Sequence, residues 1–297
     1  MRPDPVLVSW LGAGASDVRL VGGKAASLDR LIGMGFRVPP GFCVTTRAFD
    51  RQLGAMPAAA ELLARLPDED ARARLTAAFE AAPLDDEVAV TVASALGELV
   101  GRLAALGHAA SFAVRSSGIG EDSSAASFAG LHETELGVTP DGVEAAIRRC
   151  WASLWSPAAV AYRSRRGIAA DGGGMAVVVQ ALVPAECAAV IFTRHPVTGN
   201  ADQLVITGVR GLGDAMVSGT VTPDTWVIDR GTGRTVEYTP GDRAHGQAGP
   251  ALEEGPLADL ATLAIRVEAG FGQPVDIEAA ASTEGWYLLQ ARPITTA

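Results

Sequence analysis

The stretch Pro274 to Ile294, PVDIEAAASTEGWYLLQARPI, constrains this chain more than any other, because it reads as a β-hairpin with a chemically loaded face. Val275, Ile277 and Ala279 alternate with Asp276 and Glu278. Ser282-Thr283-Glu284-Gly285 then has turn composition, and Trp286-Tyr287-Leu288-Leu289-Gln290-Ala291-Arg292 follows as a second strand. Side chains two apart on a strand share a face, so Asp276 and Glu278 project together, as do Gln290 and Arg292. If the strands pair, two carboxylates stand near an amide and a guanidinium. Hard oxygen ligands beside a cation suit Mg²⁺ and the phosphates it carries. A hairpin with one solvated polar face fits the same residues, so the rest of the chain has to decide.

Charge narrows the choice. The 297 residues carry 34 acidic against 24 basic side chains, a net charge of −10, which argues against a nucleic-acid partner or an anionic membrane surface. An acidic protein that binds a polyanion must gather its few cations in one place, so single Lys and Arg residues become informative. Hydrophobic content of 48% and charged content of 20% are those of a globular chain of one large or two modest domains. Cys43, Cys150 and Cys187 are odd in number and lack metal-ligand spacing, so no disulfide framework is expected. No leader-like or membrane-spanning run is apparent. The expectation is a soluble, cytoplasmic protein.

In chain order, 6–10 and 18–21 read as short strands, followed by Gly22-Gly23-Lys24 and a helix over 25–34. Glycines before a helix allow close backbone approach and a helix N-terminus favours an anion, so Lys24 is placed to reach a phosphate; a plain strand-to-helix turn also fits. Residues 47–107 read as several scaffold helices broken near Pro57, Pro67 and Pro83. Ser111 to Val114 reads as a strand delivering Arg115 into a Ser- and Gly-rich loop, 116–130, a phosphate clamp or an ordinary surface loop. Residues 144–166 look helical, with Trp151 and Trp155 as packing residues. Residues 175–183 and 188–193 are two apolar strands joined by Pro184-Ala185-Glu186-Cys187, either a buried hairpin or a strand end, 180–183, where a purine lies against apolar side chains and backbone. Further strands at 203–209, 226–229 and 234–239 and a helix over 257–270 lead into the terminal hairpin.

Taken together, VGGKAASL, VPPGFCVT, FAVRSSGIGEDSSAASFAGLHET, WASLWSPAAVAYR, MAVVVQALVPAECAAVIFTRHPVTG, GLGDAMVSGTVTPD and DIEAA…YLLQARPIT resemble, in this order, the N-terminal ATP-grasp nucleotide-binding domain shared by pyruvate phosphate dikinase, phosphoenolpyruvate synthase and rifampin phosphotransferase. The resemblance implies an α+β, two-lobed ATP-grasp domain over 1–297, with a phosphate-binding lobe over 1–170 and an adenine- and metal-binding lobe over 171–297. It implies ATP and Mg²⁺ as ligands, bound between the lobes. Lys24 and Arg115, with Ser116, match the phosphate-binding positions; Gln180, Leu182 and Val183 match the adenine strand; Asp276 and Glu278 match the metal pair; Gln290 and Arg292 match the catalytic pair beside the β- and γ-phosphates. Residues 118–130 match the phosphate-covering loop. The chain departs from the family at Leu131, His195, Asp214 and Ala279, where Gln, Asn, Glu and Trp are usual.

The family's phosphorylatable His lies in a swivelling domain, and the only similar string here, Gly107-His108-Ala109, lacks the preceding Thr-Gly-Gly. His132 and His245 have weaker claims. The resemblance therefore implies a dikinase-type phosphotransferase that passes a phosphoryl group, the β-phosphate, to a His on a separate or missing carrier domain, with AMP as product. Two alternatives stand beside it: phosphorylation of a small-molecule acceptor in the same cleft, and a non-catalytic ATP-binding regulatory subunit.

Overall fold

The computed structural model describes residues 6–14, 17–119, 122–123, 126–127, 134–166, 174–213, 216, 219–242 and 249–294. The chain is α+β and divides into two compact units. The first comprises Met1–Asp29, Pro40–Glu121 and Phe128–Leu182, and the second Arg30–Pro39, Asp122–Ser127 and Val183–Ala297.

The first unit is built on a five-stranded antiparallel sheet. Its strands β1 (Val8–Trp10), β2 (Gly41–Val44), β3 (Phe112–Gly118), β6 (Thr134–Val138) and β7 (Met175–Ala181) lie in the order β1-β2-β7-β3-β6. β7 is the central strand of this sheet, and the first unit runs in sequence to Leu182. Phe42, Val44, Phe112, Val114, Val177 and Val179 turn one face of the sheet into a core shared with α2 (Thr46–Gly54), α4 (Glu69–Ala81), α5 (Asp86–Ala105) and α6 (Val143–Ala152). α3 (Ala59–Ala64) closes one side through Ala59 and Leu62. The helices do break near these prolines, and the two that follow Pro67 and Pro83 start on carboxylate caps. Asp68 accepts from Ala71 N at 2.8 Å at the start of α4, and Asp85 from Glu87 N and Val88 N at 3.1 and 3.4 Å at the start of α5.

An aromatic cluster fills the core. Phe79 stands 4.7 Å from Trp155, 5.7 Å from Phe49 and 6.4 Å from Trp151 between ring centroids, and all four side chains are fully buried. Trp151 Nε1 donates to Met175 O at 2.9 Å, which ties α6 to β7. Phe79→Ala is expected to lower unfolding free energy by about 3–5 kcal/mol, measurable as a reduced urea midpoint. α5 is, among the described residues, the one helix long and apolar enough by composition to cross a membrane. Its stripe Val88, Val92, Ala95, Leu99 and Leu103 is buried in this core.

Three expectations change. Residues 18–21 are not a strand but the first turn of helix α1 (Val18–Gly33). Asp17 sets that turn, its Oδ1 accepting from Arg19 N at 3.0 Å and its carbonyl from Leu20 N and Val21 N. The helix expected over 144–166 is α6, a 3₁₀ turn at Ser153–Trp155 and α7 (Pro157–Arg166), because Pro157 cannot continue the preceding hydrogen bonds. The apolar strands around Pro184 do not form a hairpin, since the second of them belongs to the other sheet.

The second unit carries the six-stranded antiparallel sheet β11-β10-β9-β8-β12-β13. These are β8 (Cys187–Phe192), β9 (Gln203–Arg210), β10 (Asp224–Asp229), β11 (Thr235–Thr239), β12 (Val275–Ser282) and β13 (Gly285–Pro293), with a small ribbon of β4 (Asp122–Ser123) and β5 (Ala126–Ser127). Trp226, Ile206, Ile191, Ile277 and Ala291 form one cross-strand row, all buried. Helix α8 (Glu254–Phe271) contributes buried Leu257, Leu260, Ala261, Ala264 and Val267, and Gly272 ends it in the left-handed region at φ +67°. Residues 30–39 also belong here. Leu288 N donates to Arg37 O at 2.9 Å, Arg30 stacks over Phe271, Arg37 over Tyr287 and Arg266 over Phe36.

Candidate functional site

In the first unit, strand parity sorts the candidate residues. β3 pairs with β7 so that Ala113 faces Gln180, Arg115 faces Val178 and Ser117 faces Ala176. These residues, with Gly41 and Cys43 of β2, occupy the sheet face opposite the aromatic core. Ser116 is one residue out of phase. It shares the core face with Val114, is 1% exposed, and its hydroxyl has no hydrogen-bond partner among the described residues. The arginine is therefore delivered from within a strand that runs to Gly118, and the serine on its own face is Ser117. Arg115 and Lys24 are each 9% exposed and Gln180 2%.

Lys24 sits just after a break in α1. Gly22 adopts φ +74° and ψ 173°, outside the helical region. The close approach that the paired glycines allow is made by the protein's own backbone: a Cβ on Gly22 would lie 2.0 Å from Ser117 O. Ser117 Oγ donates to Val21 O at 2.8 Å and accepts from Ala25 N at 3.2 Å. The Ala25 N–H is thus committed to protein. Cys43 Sγ lies 3.5 Å from Val21 O, and burial, with the nearby Asp29 carboxylate, pushes its thiol far above the ordinary range. It is not a nucleophile.

The strand end at 180–183 also has commitments. Ala181 N donates to Pro40 O and Leu182 N to Ser111 O, both at 2.8 Å. Val183 is 7% exposed and opens the second unit.

In the second unit the two terminal strands pair as the expected hairpin. Asp276 pairs with Arg292 and Glu278 with Gln290, and a bulge at Leu289 follows immediately. On the same face, the next strand places Phe192 beside Asp276 and Val190 beside Glu278. Two carboxylates, a guanidinium and an amide thus occupy one patch with apolar neighbours. Arg292 Nε and Nη2 both bond Asp276 Oδ2, at 2.9 and 2.8 Å, while Asp276 Oδ1 is buried without a partner among the described residues. Burial pushes the Asp276 carboxyl up; Arg292 opposes this, and the Glu278 charge adds to it. Asp276 thereby orients the arginine through one oxygen and offers the other.

Among the described residues no three His, Cys, Asp or Glu side chains cluster as a metal cage. Two carboxylates with an orphaned buried oxygen suit Mg²⁺, which takes one or two protein carboxylates and completes its shell with water and substrate phosphates.

The histidines and departures resolve more simply. His195 Nδ1 accepts from Val197 N and Thr198 N at 3.2 and 3.3 Å, so it closes a turn. His108 is exposed and follows the C-terminus of α5, its N–H bonded to Leu103 O. Ala279 is 1% exposed opposite Leu288. His132, His245, Leu131 and Asp214 lie outside the described residues, as does most of the loop 118–130.

A family model described as the pyruvate phosphate dikinase AMP/ATP-binding domain matches residues 18–297. The chain is 39% identical over 321 residues to rifampicin phosphotransferase from a Streptomyces species, covering 98% of this chain and 36% of that protein. It is 37% identical over 310 residues to a probable phosphoenolpyruvate synthase of Methanothermobacter thermautotrophicus, covering 95% of this chain and 45% of that one. The chain thus spans less than half the length of these relatives. Among solved structures, D-alanyl-alanine synthetase A from Vibrio cholerae aligns over 93% of this chain and 56% of its own, at 15% identity and a TM-score of 0.37, too slight a likeness to carry an argument.

Proposed function

Because this chain belongs to the family of pyruvate phosphate dikinase AMP/ATP-binding domains, we propose that it binds MgATP and transfers a phosphoryl group in a dikinase-type reaction. The α+β architecture with two antiparallel sheets is of the ATP-grasp class. The observation that carries the reading is the hairpin register, which sets Asp276 against Arg292 and Glu278 against Gln290 on one face.

Lys24 and Arg115 bind phosphate oxygens of ATP, and Gln180, Leu182 and Val183 contact the adenine. Glu278 and Asp276 would hold Mg²⁺, which would neutralise phosphate charge. Arg292 and Gln290 bind the β- and γ-phosphates. Arg292 is pre-oriented by the two bonds to Asp276 Oδ2, so it meets developing negative charge without reorganising. Little covalent work falls to these side chains, since phosphoryl transfer depends on positioning and electrostatics. The acceptor is a His on a carrier domain or chain. Its ring nitrogen attacks the β-phosphorus, the bond to the α,β-bridging oxygen breaks and AMP leaves, so the His first carries the β,γ-pyrophosphoryl group. Attack of water or inorganic phosphate on the γ-phosphorus then breaks the β–γ bridge, releases the γ-phosphate as phosphate or pyrophosphate and leaves the β-phosphoryl group on the His.

The test is to mix the chain with MgATP and an isolated phosphohistidine-carrier domain from a relative, then separate the nucleotides. AMP without ADP, formed only when the carrier is present, is the expected result. ADP as the product would overturn the reading and point to direct phosphorylation of another acceptor.

A further inference from the structure

We infer that Ser117 is a positioning residue for Lys24, so that β3 serves phosphate binding twice: directly through Arg115 and indirectly through the Ser117 hydroxyl. The inference rests on the nucleotide reading above. In an unbroken α-helix the Ala25 N–H would bond the Val21 carbonyl, four residues back. Here Gly22 breaks the helix, and the Ser117 hydroxyl stands inside that missing bond, donating to Val21 O at 2.8 Å and accepting from Ala25 N at 3.2 Å. A hydroxyl can satisfy a carbonyl and an amide at once, and few other small groups can.

Lys24 lies between the two residues so bridged, and its backbone direction follows from the bridge. Without the hydroxyl, the Ala25 N–H and the Val21 carbonyl each lose a bond, the carbonyl keeping only its weak Cys43 thiol donor at 3.5 Å. They can recover it by closing directly on each other, which regularises the helix and swings Lys24 about its axis. Ser117 is 0% exposed and so contacts no ligand itself. Arg115 and Ser117 are two positions apart on one strand, a spacing of about 6.6 Å. A single rigid strand therefore sets where the guanidinium stands and where the ammonium points.

The experiment is a set of equilibrium titrations with MgATP and with adenosine, which lacks the phosphates. Ser117→Ala is expected to weaken MgATP binding roughly tenfold, the worth of one good hydrogen bond, and to leave adenosine binding unchanged. Ser117→Thr, which keeps the hydroxyl, is expected to recover most of the affinity. In a Lys24→Ala background, Ser117→Ala is expected to have little further effect, because the serine acts through the lysine.

If Lys24→Ala itself leaves MgATP affinity untouched, the nucleotide reading of that lysine fails and takes the inference with it. If Lys24→Ala weakens binding while Ser117→Ala does nothing, or acts fully additively, the inference alone is overturned. Equal losses for MgATP and adenosine, or a Ser117→Ala chain that does not fold, would assign Ser117 to the fold alone.

Discussion

Arg292→Ala is expected to lower carrier-dependent AMP formation by two to three orders of magnitude, the usual loss when a pre-oriented donor to developing charge is removed. The side chain is gripped by Asp276 Oδ2 from two nitrogens, so the variant loses both the positive charge and its orientation. A second consequence follows for stability. Asp276 is 8% exposed, and its carboxylate would remain beside Glu278 with no cation opposite. A fully buried pair broken in this way costs more, but the Arg292 side chain is 30% exposed, and water can enter; a loss of about 2 kcal/mol is expected. Rates and urea midpoints measured on the same preparation separate the two effects. Arg292→Lys should not restore activity, because an ammonium cannot reproduce the planar fork. Turnover at the wild-type rate in a folded Arg292→Ala chain would remove this residue from the chemistry.

Gly22→Ala should be the most destabilising small substitution in the first unit. At φ +74° and ψ 173° the backbone lies in a region essentially reserved for glycine, which costs an L-residue about 1–3 kcal/mol by itself. The added Cβ would also stand 2.0 Å from Ser117 O and 2.4 Å from Ser117 Oγ. The nearest atom belongs to backbone in a paired strand, so it cannot swing aside. Together these effects should reach about 4 kcal/mol or more, the range reserved for named structural faults. Urea denaturation would report it as a large fall in midpoint at constant slope. A shift below about 1 kcal/mol would mean that the helix break and the strand tolerate separation, and would weaken the role given to Ser117 as well.

Much of the hairpin chemistry was legible because it is local. Strand alternation tells which of residues 275–279 share a face, but the turn spacing alone would set Asp276 opposite Ala291; the bulge at Leu289 shifts the register by one residue and brings Arg292 there. Helix starts at Asp68 and Asp85 were legible in the same way, from prolines followed by a capping carboxylate. Residues 18–21 were ambiguous, since a short apolar run fits a strand or a helical turn; Asp17, able to cap, was the overlooked signal. The choice between Ser116 and Ser117 needed only the parity rule applied from Arg115. The partners of β7 and β8 are another matter. Two apolar strands separated by a four-residue connection look like a hairpin, yet each pairs with strands distant in sequence. No local pattern records such pairings.

The interleaving of the two units along the chain has an evolutionary consequence. A recombination junction at Leu182–Val183 would look like a clean domain boundary on a linear map. It would nevertheless join a β13 from one parent to residues 30–39 from the other, because that short segment precedes most of the first unit in sequence but packs with the second. The backbone bond from Leu288 N to Arg37 O would survive any such exchange. The stacking of Arg37 on Tyr287 and of Arg30 on Phe271 would survive only if both parents carried matching residues. Viable hybrids between divergent lineages should therefore inherit residues 30–39 from the parent that supplies the C-terminal sheet, a linkage that selection can maintain and that shuffled libraries can reveal.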